Sequence, residues 1–129
     1  MAGTSTLDAW LGDAHGVEQL LRRALENHAR DAADLPELSA RYAELARASA
    51  RHAEMLASCL TRRGGSISTV KSVLGKATGV IQVAMSGLAA DELVKDVLSD
   101  FAAVQYAVAS YTALIEAARL EGDHDTAEV

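Results

Sequence analysis

Glu18, His52 and His15 are the residues whose types and spacing could do chemistry in this chain. Leu7, Leu11, Ala14, Glu18, Leu21 and Leu25 succeed one another in steps of three and four, the spacing of a single helix face. Glu18 therefore shares a face with leucines. Leu38, Tyr42, Leu45, Ser49, His52, Leu56 and Cys59 repeat the pattern downstream. A turn near residue 33 would pair positions whose numbers sum to about 67. Glu18 then faces Ser49, with His52 about one helical turn away. His15, three residues before Glu18, lies close enough on the same helix to join it.

A carboxylate and an imidazole meeting inside a helical bundle support two chemistries. One is metal ligation, although a bundle di-iron centre draws roughly six ligands from its helices. The other is a hydrogen-bonded pair, with Glu18 bonded to His52, Ser49, Tyr106 or Tyr111, because a buried carboxylate is too costly to leave alone. The remaining candidates are weaker. His28 lies beyond the Leu25 stripe and reads as an interfacial or helix-end residue. His124 sits in a polar tail. Cys59 falls on the second stripe and reads as a small core residue. No Gly-rich phosphate loop, Ser-His-Asp arrangement or CxxC is present, so no catalytic residue is assigned.

Four helical segments must position these groups. The first starts near Thr6, with the preceding Ser/Thr run as cap, and ends before Asp34-Leu35-Pro36-Glu37. Pro36 fits the first helical position of the second segment, which Gly64-Gly65 stop after Arg62 and Arg63. The third carries Val70, Val73, Leu74, Ala77, Val80, Ile81, Ala84 and Leu88, interrupted by Gly75 and Gly79. Ser86-Gly87 marks a boundary, and Asp91 and Glu92 open the fourth. That segment runs to about Leu120, with Val94, Val97, Phe101, Val104, Val108, Tyr111, Ile115 and Ala118 expected on its inner face. The tail from Glu121 to Val129 is polar and expected to fray.

Composition agrees with an all-α domain spanning residues 1–129. The chain of 129 residues is 50% hydrophobic but only 4% aromatic, so Ala, Leu and Val carry the core, and a single Pro leaves long helices possible. A net charge of −6 gives no basic face for nucleic acid. The lone Cys59 excludes an internal disulfide and suits a reducing compartment. The N-terminus lacks signal-peptide features, and no apolar run reaches the roughly 20 residues of a membrane span. A cytoplasmic protein is the expectation.

DAHGVEQLLRRALENHARDAADLPELSARYAELARASARHAEMLASCLTRRGG, then STVKSVLG, then LAADELVKDVLSDFAAVQYAVASYTALIEAARLEGD, resemble in order and spacing the YciE/YciF-type ferritin-like family. The resemblance implies a ferritin-like four-helix bundle from a bacterium, associated with stress responses, and in many members a di-metal centre of carboxylates and His. Glu18 matches the family's inward Glu. Ala48 stands where the second helix usually carries an acidic residue. Val104, Gln105, Tyr106 and Ala107 stand where the fourth tends to read Glu-His-aromatic-Glu. The expectation is a non-catalytic bundle acting by self-association, as a homodimer, or by binding a protein partner, with no cofactor. The alternative is a metal-binding protein holding iron or another divalent metal at a reduced or inter-subunit site of Glu18, His52 and His15.

Overall fold

The computed structural model describes residues 5–65 and 92–129. These form four helices, α1 (Thr6–Asp31), α2 (Pro36–Arg62), α3 (Glu92–Leu120) and the short α4 (His124–Glu128), and no strand. The expected segment over Val70 to Leu88, with Gly75, Gly79 and the Ser86-Gly87 boundary, lies outside the described residues. No helix among them is long and apolar enough to cross a membrane.

The ends of the helices follow from local chemistry. Ser5 caps α1, its Oγ accepting from the Asp8 amide at 3.1 Å, which satisfies one of the amides a helix start leaves open. Pro36 opens α2 at a position that needs no amide hydrogen. Leu35, just before it, offers no side-chain cap. Ser39 instead donates its hydroxyl to the Ala29 carbonyl at 2.7 Å, closing the α1–α2 corner.

Both α2 and α3 stop by the same device. At α2, the Gly65 amide donates to the Leu60 carbonyl and the Gly64 amide to that of Thr61, both at 2.9 Å. At α3, Asp123 donates to Ala118 at 2.8 Å and Gly122 to Arg119 at 3.0 Å. This double bond pattern needs a left-handed residue at its centre. Gly64 and Gly122 supply it, with φ of +81° and +77°. After Gly122 the chain turns back into α4, capped by Asp123, whose carboxylate accepts from the amide and hydroxyl of Thr126. The tail expected to fray is thus a capped helical turn.

Packing brings the two ends of the sequence together. Leu7, Leu11, Leu56, Cys59, Leu60 and Leu114 share one buried cluster. Leu21, Leu25, Tyr42, Ala46 and Ala103 share another. Val17 and Ala107 lie between them. These pairings run α2 and α3 both antiparallel to α1.

The inner face of α3 departs from the expectation over its first part, while Tyr111 and Ala118 pack inward as expected. Ala103, Ala107, Leu114 and Ala118 are buried, and Asp96 with them. Val97, Phe101, Val104 and Val108 are 49%, 66%, 44% and 55% exposed. Apolar residues surround α3 on several sides, so periodicity alone does not choose its inner face. The alanine line lets its backbone approach α1 closely, and the bulkier line is turned away.

Candidate functional site

Glu18 is buried as its stripe requires, at 2% exposure. Its Oε1 accepts a hydrogen bond of 2.6 Å from the Tyr111 hydroxyl. His52 Nδ1 lies 3.3 Å from the same oxygen. α1 contributes the carboxylate, α3 the phenol and α2 the imidazole, so one residue from each long helix converges. Glu18 Oε2 is equally enclosed and has no hydrogen-bond partner among the described residues. Burial, and then the hydrogen bond and charge of Glu18, raise the Tyr111 hydroxyl well above its ordinary range. Tyr111 is therefore a fixed proton donor to Glu18 rather than an acid in its own right.

His52 is less buried than its stripe suggests, with its side chain 51% exposed. It stands at the edge of an apolar cleft of about 340 Å³ whose walls include Leu11, Leu56, Tyr111 and Leu114, with Thr126 and Ala127 of α4 on one side. Cys59 is a buried free thiol in the same wall, the core role expected of it. Ser49 is buried but is not the partner of Glu18. His15 is half-buried, and burial lowers the pKa of its ring. No hydrogen bond or ion pair among the described residues joins it to Glu18 or His52.

Among the described residues, the donors around Glu18 fall short of the ligand set of a di-iron centre. Glu18 Oε1 already receives a phenol and faces an imidazole, and Ala107 fills buried space against Val17. Among the described residues no group of three or more His, Cys, Asp or Glu side chains is arranged to hold a metal ion. Residues 66–91 contain no His, Glu or Cys, and Asp91 is their one acidic residue. Gln105 is exposed and takes no part.

Two further polar assemblies were not legible in the sequence. His28 is buried between α1 and α3. Its Nδ1 is 2.9 Å from the Asp100 carboxylate and its Nε2 3.2 Å from Asp96 Oδ1. The Tyr42 ring of α2 meets its edge, with centroids 5.6 Å apart. The available signal was that 96, 100, 103, 107, 111, 114 and 118 form one helical line. The expected inner face shared only Tyr111 and Ala118 with that line.

Arg63 joins four partners. Its Nε donates to Asp8 at 2.6 Å, its Nη1 to Asp123 at 2.7 Å, and its Nη2 to Glu121 at 2.8 Å and Ser5 at 3.3 Å. The start of α1, the end of α2 and the α3–α4 corner thereby meet on one guanidinium. Its position after α2 had suggested only an interaction with the helix dipole.

The model of one protein family, described as a domain of unknown function (DUF892), matches residues 4–129. The chain belongs to the DUF892 family. No solved structure matches it. The DUF892 match covers the whole described region, so the Glu18, His28 and Arg63 assemblies all lie within the family domain.

Proposed function

We propose that this DUF892 protein is a non-catalytic helical bundle that works by association through α3, with a second copy of the chain as the partner. The observation that carries the reading is the exposed line Val97, Phe101, Val104 and Val108. These residues follow in steps of four, three and four, the seam spacing of helices that pack side by side. Four large apolar side chains along about three turns are more than scattered surface residues need explain. The resemblance to YciE/YciF-type proteins supports a ferritin-like four-helix architecture, a bacterial origin, a cytoplasmic location and a stress-associated role.

Light scattering coupled to size exclusion tests the association. The wild-type chain is expected to be a dimer, and Phe101→Asp a monomer with an unchanged helical spectrum. A monomeric wild type would overturn the reading and leave another segment of the same chain as the cover of the line.

One observation favours a second reading, metal binding at a reduced or inter-subunit site. Glu18 Oε2 is buried without a hydrogen-bond partner among the described residues, as a ligand awaiting a cation would be. Loading with Fe(II), Mn(II) or Zn(II), desalting and elemental analysis separates the two. Stoichiometric metal that is lost in Glu18→Ala would establish the metal reading. Absence of retained metal would leave association.

A further inference from the structure

The groove between α1 and α2 holds another cleft, of about 350 Å³, apart from the one beside His52. α1 lines it with Arg22, Glu26 and Arg30, and α2 with Arg47. Alanines of both helices, Ala29 and Ala46 among them, complete the lining. α3 and α4 contribute nothing to it.

The helix period brings these groups together. Arg22, Glu26 and Arg30 follow in steps of four, a single stripe of α1. Arg22 lies four residues after Glu18, and Arg47 five before His52. In an antiparallel hairpin those steps run the same way. Arg22 and Arg47 therefore stand at one height, about a turn from the Glu18–His52 contact.

Three guanidiniums and one carboxylate leave two positive charges on the cleft. Glu26 is one turn from Arg22 and from Arg30, the spacing at which helical ion pairs form. Among the described residues it pairs with neither, and neither Arg22 nor Arg47 meets any other carboxylate. Arg30 donates to the Asn27 side chain at 2.8 Å. By contrast, Arg41, Arg63 and Arg119 each meet a carboxylate within 2.9 Å. Arg22 Nε is also enclosed, with no hydrogen-bond partner among the described residues. An enclosed donor left unmet is costly, and gathered like charges repel. A bound oxyanion removes both penalties.

We propose that this cleft binds a small organic phosphate monoester, its phosphoryl group held by Arg22, Arg30 and Arg47 and its apolar body lying against the alanines.

Charge, chemistry and size select that class. A phosphate monoester carries about −1.5 to −2 at pH 7, which matches the two uncompensated positive charges, whereas a carboxylate meets half of them. The planar fork of arginine forms paired bonds to phosphate oxygens. The volume lies at the small end of organic-ligand sites, and the alanines give the rest of the molecule an apolar wall. The net charge of −6 repels extended polyanions, so the anion is a small one. The proposal is independent of association through α3 and of metal at Glu18.

Titration calorimetry on the full chain tests the site in about 150 mM salt, where distant surface charges are largely screened. The probes are phenyl phosphate, inorganic phosphate and benzoate. One phenyl phosphate is expected per chain, bound at least about tenfold tighter than either of the others. Arg22→Gln and Arg47→Gln should each weaken it by about tenfold to a hundredfold, the worth of a charge-assisted hydrogen bond. Arg23→Gln, beside Arg22 but outside the lining, should leave it unchanged. Arg22→Gln should keep its helical spectrum, because it removes an unmet donor. Arg47 is exposed, so Arg47→Gln decides the matter even if Arg22→Gln disturbs the hairpin. Absence of phenyl phosphate binding would overturn the proposal, as would binding that survives either replacement. Inorganic phosphate or benzoate bound as tightly as phenyl phosphate would overturn it too.

Discussion

The Glu18 carboxylate is the most buried charged group of the described residues, and its hydroxyl donor sits 93 residues away in sequence. Removing the Tyr111 hydroxyl leaves that carboxylate with only the half-exposed His52 beside it. Tyr111→Phe should destabilise the fold by about 1–3 kcal/mol, measured by urea unfolding. Glu18→Leu combined with Tyr111→Phe should recover much of the loss, since an apolar pair leaves nothing unsatisfied. A double-mutant cycle reads the coupling directly. At this scale the sequence was informative about Glu18, because its stripe is long and regular. It named Tyr111 among several partners, because three-and-four spacing locates a face without choosing between donors on an unplaced helix. Asp96 and Asp100 were illegible for the converse reason. An aspartate on a helix reads as solvated until a cation from another helix is known to meet it.

Helix boundaries in α1, α2 and α3 follow from capping chemistry visible in the chain, notably Pro36 and Gly64. The rotation of α3 does not. Apart from Asp96 and Asp100 both its lines are largely apolar, and selecting the alanine line depends on how close its backbone comes to α1. That choice is testable by overpacking. Ala107→Leu should cost about 1–3 kcal/mol, while Val104→Ala on the outer line should change the stability of the isolated chain little. α4 was missed because polarity hid a capped turn. Hydrogen bonds from Thr126 and then Arg63, with the Thr126 amide adding to them, hold the Asp123 carboxyl down at about 2. Its folded value lies below the ordinary one, so its contribution is present above the ordinary carboxylate range and is lost as pH falls towards about 2. Exchange over 123–128 should therefore rise in acid ahead of exchange over 53–60, and Asp123→Asn should show the same loosening at neutral pH.

The all-α class and the antiparallel α1–α2 hairpin were readable from periodicity and turn residues, and the family match extends over nearly all of the chain. The polar fastenings were not readable. They join residues distant in sequence, such as His28 with Asp100 and Arg63 with Asp8, and no local pattern announces such pairs. They also give the molecule a direction. α3 is a lever held at both ends by charge, through aspartates near its start and by Glu121 and Asp123 just past its end. Acid loosens the second, as the Asp123 carboxylate takes up its proton. In acid the lever therefore peels first from its C-terminal end.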